Sequence, residues 1–317
     1  MSFLLPYRYF SRYLQSKPEH GIFFAIARFT RPKMLPLKSK LTLLIKHLHQ
    51  MKNTKKLLTP MFLVLIGLAT LSFMAKEAIT LRLHPEAGKS YTVNSKATSM
   101  NMMEVQGQTM SMSQTMETNQ SFSIKEVSDT QSVIESQIES LKLNMSQMGM
   151  KFEYDSEHPE KTSPMIADQT KEFEKNIKVP AELTYDAMGN MVSEKEEVSM
   201  NTLGNVIIKM PEEPISVGST WTTSNTQSVS NMEMTVEFTY TVTAISKKSV
   251  DVSFKGNILK NNDNITGTYN GTASIDPTTG ILMKSNTKSN VSMTISQQGL
   301  TIPMTISGNS NVVVTEK

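Results

Sequence analysis

Alternation of apolar and polar residues is the main pattern in the second half of the chain. The clearest run extends from Met232 to Ala244, where every second residue is apolar and the residues between them are Thr or Glu. Successive side chains of a β-strand point to opposite faces, so this run predicts a strand with one buried face and one face in water. The same alternation recurs in later runs at 250–254, 265–275, 291–295 and 300–306. Together they predict an antiparallel meander of long strands.

The first half carries a similar pattern with interruptions. Tyr91–Val105 and Thr109–Val127 predict two long strands joined by a turn at Gln106–Gln108. The run Val133–Met145 fits both the helical and the strand period. We interpret it as a strand with a bulge near Ser140, because the residues after that point again alternate.

Shorter elements complete the predicted architecture. Residues 79–83 predict a short strand, Ala167–Ile177 predicts a helix with charged residues around Phe173, and Val198–Ile208 predicts a second helix. The fold class predicted is therefore all-β. It consists of a long-stranded, curved antiparallel sheet or open half-barrel, with one or two short helices against its concave side.

Two kinds of turn motif each occur twice along the chain. The stretch Gly88–Thr92 resembles Gly218–Thr222, and each opens a strand rich in Ser and Thr. Asp186–Gly189 resembles Asp276–Gly280, and both predict an aspartate-led turn closed by glycine. The residues with a predicted structural role are Gly88, Tyr91, Asp186, Gly189, Gly218, Trp221, Asp276 and Gly280. This repetition predicts two related β units, 76–210 with a helical insertion of about 40 residues and 211–317.

The order of these motifs resembles a known family. Phe152–Ser156 lies between Gly88 and the turn at Asp186, and Pro214-x-x-Val217-Gly218-x-x-Trp221 lies between that turn and the one at Asp276. Over residues 79–315 the chain resembles an uncharacterised family of exported bacterial β-rich proteins, known only as a domain of unknown function. The resemblance implies an architecture and no catalytic residues. Family members often carry a lipid-anchoring cysteine, which this chain lacks.

An export signal is predicted at residues 51–75. A short basic segment with three lysines precedes Leu57–Ala75, which carries no charge. These 19 residues are long enough to cross a bilayer if they are not cleaved, so a signal peptide and a membrane anchor through residues 57–75 both remain open. Either alternative predicts an exported protein of the periplasm or cell envelope, with the anchor in the inner membrane. Residues 1–50 are either a spurious extension from an upstream start codon or a basic cytoplasmic segment that contacts anionic lipid.

Charge and composition exclude several classes of function. The chain has 32 basic and 29 acidic residues, but residues 76–317 hold 20 basic against 28 acidic ones. An acidic exported part disfavours binding to a phosphate backbone, so no nucleic-acid partner is expected. The absence of cysteine excludes disulfides, thiolate metal sites and cysteine nucleophiles. The histidines of the exported part, His84 and His158, lie in predicted turns without the convergent partners of a catalytic or metal site. We therefore predict a protein that is not an enzyme, with no cofactor and no metal.

Methionine is unusually frequent, with 24 in total and 19 of them after residue 75. The even-numbered positions of 109–126 predict an apolar and adaptable face. The residues predicted to contact a ligand are Met110, Met112, Met116, Phe122 and Ile124. We expect Met100, Met102 and Met103 to face this group from the preceding strand.

Three hypotheses follow from the predicted sheet. The first is a non-enzymatic envelope protein whose curved sheet holds an apolar or lipid-like ligand. The second is a structural or interaction protein of the envelope with a filled core. The third is a Cu(I) binder that uses the methionine sulfurs as soft ligands. A continuous cavity on the inner side of the sheet favours the first hypothesis, and a packed interior favours the second.

Overall fold

The computed structural model of the protein describes residues 78–105, 107–194, 206–229, 232–259, 264–297 and 300–317. The predictions for residues 1–75, and most of the second predicted helix, lie outside the described residues. In the part of the chain that is described, no helix is both long and apolar enough to cross a membrane.

The described residues form one open sheet of twelve strands that pair in antiparallel fashion, which confirms the all-β prediction. The strands are β1 (Ser90–Val105), β2 (Gln108–Val127), β3 (Gln131–Gln147), β4 (Met150–Asp155), β5 (Ala181–Asp186), β6 (Met191–Glu194), β7 (Thr220–Val229), β8 (Met232–Ile245), β9 (Val250–Ile258), β10 (Ile265–Ile275), β11 (Leu282–Gln297) and β12 (Leu300–Glu316). From edge to edge their order is β6, β5, β3, β2, β1, β12, β11, β10, β9, β8 and β7. Strands β5 and β4 share one edge of β3: β5 pairs with its first half, and β4 pairs with its second half.

The strand order follows the chain as two meanders joined by β12. Strands β1 to β6 run outward on one side, and β7 to β11 run inward on the other. The last strand then pairs with β11 on one edge and with β1 on the other. Because of this pairing, the predicted units 76–210 and 211–317 contribute to one continuous sheet.

A bulge in β3 changes which residues face the core, at the place that the sequence predicts. The ladder between β2 and β3 skips Glu139. Because side chains alternate along a strand, one extra residue exchanges the two faces. Ile134 and Ile138 are accordingly buried before the bulge, and Leu141 and Leu143 are buried after it.

The insertion between β3 and β5 holds β4 and one α-helix, α1 (Ala167–Glu174). The predicted helix over 167–177 is thus present and ends three residues earlier. Phe173 packs with Phe152 and Tyr154 of β4 against the end of β3, in a buried cluster of its own.

The predicted strand at residues 79–83 is wrong. Ile79 forms one isolated bridge with Ile215, and the next backbone bonds go to turns instead of a strand. The amide of Leu83 donates to the carbonyl of Ala187 at 2.9 Å, and the amide of His84 donates to the carbonyl of Thr279 at 2.9 Å. The segment is therefore extended but has no neighbouring strand to continue a ladder with.

The sheet is strongly curved. Strands β5 and β8 are eight places apart, a distance of about 38 Å in a flat sheet. Tyr185 of β5 and Tyr240 of β8 nevertheless line one cavity, and the buried side chains around it form one cluster, the main core. Two extended segments, around Leu81 and around Ile207, pack into this core between the ends of the sheet. We call the face that carries these buried side chains the inner face.

A candidate ligand cavity on the inner face

Small side chains occupy the middle of the inner face. Residues directly opposite each other on neighbouring strands point to the same side. One such row crosses β1, β12, β11 and β10, and its members are all small: Ala97, Ser310, Thr287 and Gly271. The same row continues on β9 and β8 with Phe254 and Tyr240. Side chains on the inner face are therefore short in the centre of the sheet and long toward β8, which leaves a depression in the centre.

Two glycines within strands allow the aromatic rings to lie over the sheet. Gly256 is opposite Phe238, and Gly271 is opposite Phe254. A Cβ atom at either glycine would lie 2.6 Å from a carbon of the facing ring, which is too close for a real contact. Glycine is thus required at these two positions for the rings to cover the backbone.

These features enclose a cavity of about 370 Å³. Its walls are mainly aromatic, its base is made of the small residues, and its rim is polar. The lining residues are Tyr185, Gly189, Asn190, Met191, Ile207, Ile208, Lys209, Thr223, Ser224, Asn225, Phe238, Tyr240, Phe254, Tyr269, Ala273, Leu282, Ser285, Thr287, Ser310 and Val312.

The segment 206–210, which we call the strap, forms one wall of the cavity. The indole Nε1 of Trp221 donates to the carbonyl of Lys209 at 3.0 Å, and the amide of Met210 donates to the carbonyl of Met188 at 2.8 Å. The strap also passes so close to Gly189 that a Cβ atom there would lie 2.7 Å from the carbonyl oxygen of Ile208. The strap is therefore held on one side by β7 and on the other by the turn between β5 and β6.

Phe238 is the centre of the aromatic wall. Its ring centroid lies 6.2 Å from that of Tyr240, 6.0 Å from that of Phe254 and 5.8 Å from that of Tyr269. Burial raises the pKa of Tyr240 and the pKa of Tyr269 to about 12. Both hydroxyls are therefore neutral at physiological pH, and neither places a negative charge in the cavity.

The two predicted strand starts have the same geometry. Tyr91 is opposite Phe122 and stacks on it with ring centroids 4.8 Å apart, and Trp221 is opposite Tyr240 and stacks on it at 4.9 Å. Gly88 and Gly218 have φ values of +83° and +91°, a conformation that glycine adopts without strain. Their amides donate at 2.8 Å to the carbonyls of Ile124 and Val242, which lie two residues beyond the stacked partners.

The two aspartate-led turns are also alike. Oδ1 of Asp186 accepts the amides of Met188 and Asn190, and Oδ1 of Asp276 accepts those of Thr278 and Thr279. The closing residues Gly189 and Gly280 have φ values of +75° and +72°. Both turns contact the extended segment before β1. The carbonyl of Ala187 accepts the amide of Leu83, and the carbonyl oxygen of Arg82 would lie 2.2 Å from a Cβ at Gly280.

The residues predicted to contact a ligand are divided among three environments. Phe122 and Ile124 belong to the main core, and Met116 packs in the cluster beside α1. Met110 and Met112 are half-buried near the hairpin between β1 and β2. None of the five lines the cavity, and their role as ligand contacts stays a prediction. The aromatic wall was not predicted from the sequence, although Gly256 and Gly271 inside alternating strands were a usable signal.

The expected methionine cluster across the first hairpin is wrong in part. Met103 is opposite Met110, as expected. Met100 and Met102 are opposite Ser113 and Ser111, so they point to the outer face, where they are 52% and 43% exposed. The strand period places them on the side away from the even-numbered methionines of β2.

The structure describes no group of three or more His, Asp or Glu side chains that could hold a metal ion among the residues it covers. His84 and His158 are both exposed.

Three solved structures resemble parts of the chain. A structure of lipovitellin with its lipid–protein interactions is 11% identical, with a TM-score of 0.44, over 73% of this chain and 25% of that one. The chain therefore spans about a quarter of that structure. An outer membrane channel from Pseudomonas putida F1 is 5% identical, with a TM-score of 0.21, over 74% of this chain and 98% of that one. The translocator domain of the autotransporter NalP from Neisseria meningitidis is 6% identical, with a TM-score of 0.19, over 72% and 89%. These TM-scores are too low to establish a shared fold.

No curated protein matches the chain significantly. A family profile does match, over a stretch from the turn between β5 and β6 to the first residue of β11, and this stretch contains most of the cavity lining. Residues 188–282 match a family of unknown function (DUF6263), which confirms over this segment the uncharacterised family that the turn motifs predicted.

Proposed function

We propose that the chain is an exported, non-enzymatic envelope protein that holds an apolar or lipid-like ligand in the cavity on the inner face. The observation that carries the proposal is the cavity itself, about 370 Å³ with aromatic walls and a polar rim. Small-molecule sites are typically concave, mostly apolar and of a few hundred cubic ångströms, with a small number of polar groups that orient the ligand.

The residues at the base of the cavity support this proposal. Elsewhere the inner face is filled by large side chains, and the main core and two smaller clusters are buried. Ala273, Thr287 and Ser310 are small where a leucine would fill the space between the aromatic wall and the sheet. Interiors pack densely, so apolar space of this size that no side chain fills leaves room for a ligand.

Export is part of the proposal and rests on the sequence. The uncharged segment 57–75 after three lysines is taken as a signal peptide or inner-membrane anchor, which directs residues 76–317 to the periplasm or cell envelope. The acidic balance of that part agrees with a protein that does not bind nucleic acid.

We also infer that the sheet consists of two related halves. The strand starts at Tyr91 and Trp221 share a ring stack and a glycine amide bond, and in both turns Oδ1 of the aspartate accepts the amide two residues further on. The insertion with β4 and α1 lies between β3 and β5, while β9 and β10 follow each other directly in the second half. Most of the extra residues of the first half thus lie in one insertion, since residues 148–180 separate β3 from β5 and only 259–264 separate β9 from β10.

A structural or interaction protein of the envelope is the second candidate. It is favoured by the predicted ligand residues Met116, Phe122 and Ile124, which are packed in buried clusters instead of lining the cavity. The two candidates differ in whether the wild-type protein carries a ligand that is lost when a larger side chain fills the cavity.

The test uses the full chain purified from its native envelope in mild detergent and examined by native mass spectrometry. We expect a bound apolar molecule in the wild-type protein and its loss in Thr287→Leu, which fills the base of the cavity. Thr272→Leu is the matched control, because Thr272 is exposed on the outer face of β10 and its variant should keep the ligand. A wild-type protein that carries no ligand and binds no added lipid would favour the structural candidate.

A further inference from the structure

The mouth of the cavity carries one positive charge. Among the described residues that line the cavity, Lys209 is the one with an acidic or basic side chain. The other rim residues are neutral amides and hydroxyls, namely Asn190, Asn225 and Thr223. The residues that line the interior are apolar, aromatic or small. The cavity therefore has one end suited to a charged group and a body suited to an apolar chain.

The position of Lys209 is determined by the strap and by the edge of the sheet. Its carbonyl accepts the indole proton of Trp221 at 3.0 Å, and its Nζ donates to the carbonyl of Ser224 at 3.0 Å. Strand β7 is an edge strand, so this carbonyl has no partner from a further strand. Two contacts with β7 thus hold Lys209 beside the opening, one through its backbone carbonyl and one through its ammonium group.

No carboxylate neutralises this ammonium group within the described part of the chain. The ion pairs found there join other residues. Lys209 also lines a neighbouring, more polar opening together with Glu212 and Glu213, and it forms an ion pair with neither. A half-buried ammonium group that has donated one of its three protons to a carbonyl can still donate two to an anion.

The volume limits the apolar part of an occupant. A cavity of about 370 Å³ holds roughly twelve methylene-sized groups, taking about 30 Å³ for each by comparison with water in the liquid. A single chain of medium length fills this space.

We infer that the ligand is a single-chain amphiphile with an anionic head group, and that Lys209 binds the head group at the mouth while the chain lies against the aromatic wall. This inference rests on the proposed ligand-holding function and adds to it the chemical class of the ligand. A carboxylate and a phosphate both satisfy the geometry, since each offers oxygen acceptors to the ammonium group and to the rim amides.

Isothermal titration calorimetry of the full chain tests the inference. The probes share a twelve-carbon chain and differ in the head group: dodecanoate, dodecyl phosphate, dodecanol and dodecyltrimethylammonium, each below its micelle concentration. We expect the two anions to bind more tightly than the alcohol, and the cation to bind least. The tighter of the two anions distinguishes a carboxylate ligand from a phosphate ligand.

Variants of Lys209 distinguish the effect of its charge on ligand binding from a general loss of structure. Lys209→Gln should weaken the anions about tenfold and leave dodecanol unchanged, Lys209→Arg should retain binding, and Lys255→Gln on the outer face should have no effect. Equal affinity for the anions and the alcohol, or equal losses for both in Lys209→Gln, would overturn the head-group inference while the proposed function stands. Failure of all four probes to bind the wild-type protein would instead overturn the proposed function.

Discussion

The indole ring of Trp221 stacks on the ring of Tyr240 across the first two strands of the second meander, with planes 13° apart. Tyr91 and Phe122 stack in the same way at the corresponding place in the first meander, with planes 17° apart. In both pairs the amide of a left-handed glycine closes the strand start onto the partner strand. The same stacked ring pair and glycine amide bond thus begin each meander, and in the second meander the indole nitrogen of the pair also binds the strap.

Trp221 should therefore stabilise the fold in two ways that can be measured separately, through its hydrogen bond to the strap and through its ring stack on Tyr240. Trp221→Phe keeps a ring on Tyr240 but removes the bond to the strap, and we expect a loss of about 1 kcal/mol. Trp221→Ala also removes the stacked ring, and a loss of about 3–5 kcal/mol is expected. Urea unfolding followed by circular dichroism measures both, and equal losses in the two variants would contradict this division.

The glycines under the aromatic wall should not tolerate a methyl group. In Gly271→Ala the new Cβ would lie 2.1 Å from the backbone oxygen of Asn286, which cannot move without disturbing the ladder. In Gly256→Ala it would meet only the side chains of Phe238 and Tyr269. We expect losses of about 1–3 kcal/mol from overpacking, with Gly271→Ala the more costly. Ser253→Ala, on the opposite face of β9, is the control and should be nearly neutral in thermal unfolding.

Deleting the bulge residue of β3 should preserve the fold. Without Glu139 the alternation of β3 is continuous, so the inner face keeps all four buried residues, Ile134, Ile138, Leu141 and Leu143. Glu139→Gln keeps the residue count and is the control for loss of the carboxylate. The near-ultraviolet circular dichroism spectrum of each variant checks the packing. A deletion variant without a native spectrum would show that the bulge itself is required.

Stability should fall at alkaline pH through the buried tyrosines. Burial raises the pKa of Tyr269 from 10.0 to about 12, so the folded state holds its phenol proton more tightly than the unfolded state does. The resulting stabilisation is fully present below about pH 10 and is lost as the pH rises toward 12. The free energy of unfolding of Tyr269→Phe should therefore decline less steeply over that window than that of the wild-type protein. Identical slopes would show that the phenol of Tyr269 is solvated.

Much of the fold could be predicted from the sequence because strand faces depend on a local period. The run from Met232 to Ala244 and its successors define their inner residues by alternation alone, and Met234, Val236 and Val242 are buried as expected. The bulge in β3 was visible because the apolar parity changes there. The strand predicted at residues 79–83 is absent, because alternation shows which side of a segment is buried and not whether a neighbouring strand exists.

The candidate site depended on tertiary structure. The sequence by itself determined the long strands, their inner faces, and the turns closed by Gly189 and Gly280, since each of these follows from side-chain alternation or from backbone preferences within a few residues. Only the tertiary structure decided that β12 pairs with β1, that the sheet curves, and that the strap crosses it. The cavity combines residues from Tyr185 to Val312 through these long-range pairings, and no local pattern contains the register that aligns a row of small side chains with the aromatic wall.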